Sequence, residues 1–184
     1  MFNKAVFFDR DGTIIEEVNY LSKIEQVKIL SNSPSAIKLL NENGFLVIII
    51  TNQSGLAREY FSVEDLENVN KHLKNELLKS NAKIDAIYYC PHHPDDDCEC
   101  RKPRIGLIKK AEEEMNIDLR SSFLVGDKIS DVQAGLNAGL KSILVLTGYG
   151  KEERTKLDDM NLKVDFIASD ILSAVLWILR ENDS

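Results

Sequence analysis

Several things are missing from this sequence, and each absence narrows what the chain can be. No apolar stretch reaches the roughly 18 residues that a membrane-spanning helix requires, so a membrane partner is not expected. No Lys/Arg-rich block is present to neutralise a row of phosphates, and 30 acidic against 23 basic residues give a net charge of −7, which argues against nucleic acid. Cysteine is scarce: only Cys90, Cys98 and Cys100 occur, all within eleven residues, a crowding that points to metal ligation and away from disulfides. Met1-Phe2-Asn3-Lys4 runs straight into the first apolar run with no room for an export signal, so a cytoplasmic location is expected. Internal repeats, low-complexity tracts and linkers are also lacking, and no heptad pattern or large apolar stripe calls for a dimer. A monomer is expected.

What is present is a 43% hydrophobic chain of 184 residues, long enough to bury a core as one domain over 1–184. Apolar runs end in turn or polar residues at Ala5 to Asp9, Phe45 to Thr51, Ile84 to Cys90, Phe123 to Asp127, Ile143 to Thr147 and Val164 to Ala168. They read as buried parallel strands. Helix-period segments alternate with them. From Ser62 to Ser80, Leu66, Val69, Leu73 and Leu77 line one face behind a Ser62/Asp65 capping box. Pro34 and Gly44 bracket another helix that packs through Ile37, Leu39 and Leu40, and a last one spans Asp170 to Arg180. The alternation predicts a doubly wound, Rossmann-like α/β/α fold with a mostly parallel sheet. Only one helix fits between the first two strands, so no cap domain is expected and loops must shape any pocket.

Three of the runs finish with a residue capable of chemistry: Asp9, Thr51 and Asp127. In an open α/β sheet the carboxyl ends of the strands meet at the ligand crevice. Asp9 and Asp11, two residues apart before the Gly12 turn, suit a nucleophile and its acid/base partner. Farther along, Cys90, His92, His93, Cys98 and Cys100 offer three thiols and an imidazole in one loop, enough for a closed structural Zn²⁺ site that would order the adjacent Arg101-Lys102 pair. Spacing does not choose between the two histidines.

Asp9-Arg10-Asp11-Gly12-Thr13, Thr51-Asn52-Gln53-Ser54-Gly55, Arg101-Lys102-Pro103 and Val125-Gly126-Asp127-Lys128-Ile129-Ser130-Asp131, in this order, resemble the haloacid dehalogenase superfamily over nearly the whole chain. The resemblance implies a phosphatase in which Asp9 becomes an aspartyl-phosphate while Asp11 first protonates the leaving oxygen and then activates water. A carboxylate approaching a phosphate dianion needs compensating positive charge. Asp9, Asp127 and the backbone carbonyl of Asp11 would hold Mg²⁺ through hard oxygen ligands. Thr51 and Asn52 would bind phosphoryl oxygens, Lys102 would supply charge, and Arg101 would grip substrate phosphate or hydroxyls. Lys128 resembles a substrate-contacting position. Asp131 fits either support of the metal site or the cap of a helix beginning there.

The cysteine loop resembles the branch that holds D,D-heptose 1,7-bisphosphate and histidinol-phosphate phosphatases, and favours His92 as the fourth zinc ligand. Cys-Pro-His-His-Pro and Leu56-Ala57-Arg58-Glu59-Tyr60-Phe61 lean toward the heptose enzymes, which usually carry an Asp and a Gly before the Tyr where this chain has Glu17 and Asn19. The implied substrate is a small sugar phosphate and the implied reaction removes the 7-phosphate, with histidinol phosphate as the alternative. A nucleic-acid-binding module built on the zinc loop is a remote third option that the acidic balance opposes.

Overall fold

The computed structural model describes residues 2–182. Six strands form one sheet: β1 (Ala5–Phe8), β2 (Leu46–Asn52), β3 (Ala86–Cys90), β4 (Phe123–Gly126), β5 (Lys141–Val145) and β6 (Phe166–Ala168). Their order is β3-β2-β1-β4-β5-β6, and every neighbouring pair is parallel. This is the doubly wound arrangement expected from the alternation of apolar runs and helical segments. The strand order reverses beside β1, where such sheets open a crevice.

Parallel strands have both faces covered, which is why their sequences are continuously apolar and not alternating. Val6 and Phe8 of β1 pack on one side with α1 (Ser33–Glu42), α2 (Val63–Leu78) and α7 (Ile171–Asn182). Ala5 and Phe7 pack on the other side with α3 (Gly106–Met115) and α4 (Ile129–Ala138). Two short helices, α5 (Gly150–Arg154) and α6 (Lys156–Asp159), link β5 to β6. The three-layer α/β/α reading holds. The β1–β2 connection contains only isolated bridges, one 3-10 turn at Ile24–Gln26 and α1, so nothing in it builds a cap.

Local signals act as anticipated at several points. The Ser62 hydroxyl accepts from the Asp65 backbone N–H (3.1 Å) and the Asp65 carboxylate accepts from the Ser62 N–H (2.8 Å), the reciprocal capping that starts α2. Pro34 sits in the first turn of α1, where its missing N–H costs nothing. Trp177 is half-buried and stacks on Phe166 with ring centroids 5.2 Å apart. The strand ends differ from expectation by one or two residues. β1 stops at Phe8 and β4 at Gly126, so Asp9 and Asp127 have already left their strands and turn into the crevice. Among the described residues no helix is long and apolar enough to cross a membrane.

Candidate active site

The register of the central strands determines what meets at the crevice. Phe8 lies between Ile49 of β2 and Val125 of β4, and the Asp9 N–H donates to the Val125 carbonyl (3.0 Å), so β1 and β4 leave the sheet within a residue of each other while β2 runs on beside them to Asn52. Asp9, Thr51 and Asp127 therefore converge. The cavity above them encloses about 310 Å³, and its lining includes Asp9, Asp11, Thr51, Asn52, Arg101, Lys102 and Lys128, every residue expected to act on substrate.

Lys102 reaches this point from a loop between β3 and α3, and it is only 4% exposed. Its Nζ lies 2.9 Å from Asp9 Oδ1 and 2.7 Å from Asp131 Oδ1, and it donates to the Ile50 carbonyl (2.8 Å). Burial alone would raise the pKa of Asp9, but the charges of Lys102 and Lys128 outweigh it and hold the carboxyl below its ordinary value. Burial likewise opposes the ammonium of Lys102, and Asp131 with Asp9 outweighs it, so that Lys102 stays charged. The pair is thus an ionised nucleophile candidate beside a fixed cation. Asn52 docks the loop: its side chain accepts from the Lys102 N–H (3.1 Å) and donates to the Lys102 carbonyl (3.2 Å). One amide N–H is committed to the loop, which leaves the second amide N–H and the backbone of Asn52 for a phosphoryl group.

Asp127 is fully buried; its Oδ2 accepts from the Tyr149 N–H (2.8 Å) while Oδ1 has no partner among the described residues. Burial, then the like charges of Asp9 and Asp131, push its carboxyl up to about 8. Carboxylate oxygens of Asp9, Asp127 and Asp131 lie within 4.8 Å of one another. An orphaned oxygen in a buried group of like charges fits a hard divalent cation with oxygen ligands. The other oxygen of Asp131 accepts from the Lys128 N–H (3.0 Å) at the start of α4, so the residue that caps this helix also stands beside the carboxylates of Asp9 and Asp127. The side chain of Asp11 turns elsewhere, to Arg10 and Gln53, so only its backbone is left for a cation.

Sequence reasoning passed over the residues that hold Asp11. Arg10 is fully buried and donates to Asp11 through Nε (3.1 Å) and a terminal nitrogen (3.2 Å), while its other terminal nitrogen bonds Asn70 of α2 (3.0 Å). Gln53 Nε2 donates to both Asp11 Oδ2 (3.1 Å) and Thr51 Oγ1 (2.8 Å). Arg10 and Gln53 stood inside the recognised motifs, and that position was the available signal; Asn70, 60 residues away, carried none. In the sequence Glu17 stands only as a departure from the family pattern. It lines the cavity and bonds Lys128 Nζ (3.1 Å), which also lies 4.8 Å from the centre of the Tyr149 ring. One Arg101 guanidinium nitrogen is buried without a partner beside the cavity.

The cysteine loop closes on itself next to this site. Cys90 Sγ lies 3.1 Å from Cys100 Sγ and 3.7 Å from Cys98 Sγ, Cys98 lies 3.7 Å from Cys100, and His92 Nδ1 is 3.2 Å and 3.6 Å from Cys100 and Cys90. A tetrahedron with zinc–ligand distances of about 2.3 Å for sulfur and 2.0–2.1 Å for nitrogen has edges of about 3.8 Å and 3.5 Å; the two distances from Cys98 and that from His92 to Cys90 match, and a small outward shift of Cys100 brings the set to a zinc tetrahedron. His93 instead bonds Asp95. The four expected ligands are brought together.

Comparison with known proteins agrees with this geometry. A family model described as HAD-hydrolase-like matches residues 99–174. The chain is 42% identical over 161 residues to a D-glycero-alpha-D-manno-heptose-1,7-bisphosphate 7-phosphatase of Photorhabdus laumondii, covering 83% of this chain and 88% of that protein. The chain belongs to the haloacid dehalogenase superfamily, in the heptose bisphosphate phosphatase branch. A beta-named relative from Helicobacter pylori is 42% identical over 146 residues, 79% of this chain and 84% of that protein. The crystal structure of a D,D-heptose 1,7-bisphosphate phosphatase from B. bronchiseptica, complexed with magnesium and phosphate, superimposes with a TM-score of 0.89 at 32% identity, covering 97% of this chain and 99% of that one. The superfamily's Rossmann-like fold is therefore shared across nearly all of the present chain.

Proposed function

We propose that this protein is a phosphomonoesterase that removes the 7-phosphate of D-glycero-D-manno-heptose 1,7-bisphosphate, using Mg²⁺ at the buried carboxylates and Zn²⁺ in the cysteine loop. The observation that carries the reading is the ion pair of Asp9 with Lys102, buried at the base of a polar cavity, in a chain whose relatives at about 40% identity bear that enzyme name. Both alpha- and beta-named relatives occur, so the proposal is made for the bisphosphate without a choice of anomer.

Asp9 attacks phosphorus, and the bond from phosphorus to the sugar's O7 breaks as Asp11, in its acid form, transfers a proton to that oxygen. Asp11, now a carboxylate oriented by Arg10 and Gln53, takes a proton from water as the water oxygen attacks the aspartyl-phosphate. The phosphorus–Asp9 bond breaks, phosphate leaves, and both carboxyl groups return to their starting states. Lys102 offsets the repulsion between Asp9 and the incoming dianion, and Thr51, Arg101 and Lys128 bind oxygens of the ester. Asp9, Asp127 and the Asp11 carbonyl, with Asp131 beside them, would hold Mg²⁺, which would supply further charge neutralisation. Cys90, His92, Cys98 and Cys100 would hold Zn²⁺, which would order the loop that delivers Arg101 and Lys102.

We also infer a single-domain cytoplasmic monomer over 1–184 with no nucleic-acid or membrane partner, a reading supported by the acidic net charge. Phosphate release tests the function. Turnover of the heptose bisphosphate should require added Mg²⁺ and exceed that of histidinol phosphate by about tenfold or more in kcat/KM. Preference for histidinol phosphate by a similar factor, or turnover of the bisphosphate by Asp9→Asn at the wild-type rate, would overturn the proposal.

A further inference from the structure

The cavity has no cap above it, so whatever discriminates among phosphate esters must stand on the loops at its rim. Two tyrosines meet there. Tyr20, from the loop after β1, lines the cavity and is 38% exposed; Tyr60, from the loop between β2 and α2, is 58% exposed. Their rings pack edge to face, with centroids 4.7 Å apart and planes at 84°. Large aromatic rings left this open at the mouth of a polar cavity are costly to hydrate and suited to an apolar face of a ligand.

Backbone geometry adds a second observation. Tyr20 adopts φ +54°, a conformation that a bulky side chain rarely takes and that persists only where the surroundings impose it. Tyr60 is the neighbour whose ring packs against the side chain that this backbone presents. Its N–H donates to the Gly55 carbonyl (2.9 Å), and the next residue, Phe61, is buried so closely against Gly55 that any side chain there would collide with its ring. The loop carrying Tyr60 is therefore anchored, and it holds Tyr20 over the cavity.

We infer that Tyr20 is a specificity-determining residue, a platform for the C–H face of the sugar ring while the reacting phosphate lies on Asp9 and Lys102, and that Tyr60 is its positioning residue. This rests on the proposed sugar-phosphate substrate. A pyranose presents axial C–H bonds to one side, and an aromatic face binds such a surface without demanding a charge. The ring would add affinity for cyclic sugar phosphates and nothing for an acyclic ester too short to reach it.

Steady-state kinetics of the Mg²⁺-supplemented enzyme on heptose 1,7-bisphosphate and on glycerol 3-phosphate test this. Tyr20→Asn deletes the ring while keeping a residue that tolerates positive φ. It should raise KM for the bisphosphate by about tenfold with kcat within about twofold, and leave kcat/KM for glycerol 3-phosphate unchanged. Tyr20→Phe should behave as wild type, and Tyr60→Ala should produce a smaller rise in the same KM. An equal loss on both esters would make Tyr20 a folding residue and overturn the inference, as would no change on either. Failure of the substrate proposal is seen separately, in wild-type enzyme that ignores the heptose ester; the Tyr20 comparison then runs on whichever cyclic phosphate it does hydrolyse, with the same outcomes decisive.

Discussion

Replacing Lys102 by methionine keeps the aliphatic stem and deletes the charge that Asp9 and Asp131 share. At contact distances of 2.9 and 2.7 Å each attraction amounts to about 6 kcal/mol at an effective dielectric constant of 20. Carboxylate oxygens no more than 4.8 Å apart repel each other by about 3.5 kcal/mol or more on the same scale. In the wild type the two attractions exceed this repulsion and offset much of the cost of burying three ions. In the variant the repulsion remains and only the charge of Lys128 is left to offset the two buried carboxylates, and one of them takes up a proton in relief. Broken buried ion pairs cost about 3–5 kcal/mol, and the same loss is expected here. Urea unfolding without added Mg²⁺ should show a midpoint lowered accordingly at pH 7.5 with an unchanged slope. The variant's carboxyl pKa is raised, so its stability falls as pH rises; the deficit against wild type should shrink at pH 5. Turnover should fall by about 10²–10³, the usual effect of losing one preorganised charge-stabilising donor. A variant within about 1 kcal/mol of wild type that keeps a tenth of its activity would refute the reasoning, because it would place Lys102 among ordinary surface charges.

Three other outcomes follow from the same geometry. In protein free of added divalent cation, Asp127 keeps its proton up to about pH 8 when folded but loses it near 3.8 when unfolded; its contribution therefore weakens stability progressively as pH rises across that window. Mg²⁺ should consequently raise the melting temperature more at pH 8 than at pH 6, and equal shifts by calorimetry would contradict the placement of the cation at Asp127. Gly12 has φ +83°, and a Cβ there would run into the Asp127 carboxylate, so Gly12→Ala should cost about 2–4 kcal/mol in urea unfolding. A cost below about 0.5 kcal/mol would show that the turn and Asp127 yield freely. Elemental analysis should find about one zinc per chain in wild type and markedly less in Cys100→Ser, whose phosphatase activity should fall with it as the Lys102 loop loosens. Zinc retained at the wild-type level in that variant would remove Cys100 from the ligand set.

Much of the site could be read from the chain because its parts are local. Asp9 and Asp11 share one turn, the zinc ligands share one loop, and Asp131 follows Asp127 by one helical turn, so residue type and spacing carried the information. The Arg10, Gln53 and Asn70 bonds were illegible for the opposite reason. A buried arginine satisfies its donors with whatever the fold brings near, and Asn70 arrives from a helix on another segment. Glu17 looked like a mismatch because its partner, Lys128, lies 111 residues away. The strand ends were displaced slightly since an apolar pattern continues for a residue or two after the backbone has left the ladder.

Taken alone, the order of residues determined the layered α/β class, the carboxylate and thiol groups available for chemistry, and the excess of negative charge, all of them properties of composition and short-range periodicity. Tertiary structure decided which carboxylate is neutralised, which is left for a cation, and which aromatic rings stand at the mouth. Lys102 and Asp9 are 93 residues apart, and only the pairing of β1 with β2 and of β2 with β3 puts them at one depth beneath the same cavity. Charge energies depend on distance and burial, and neither exists until the sheet has closed.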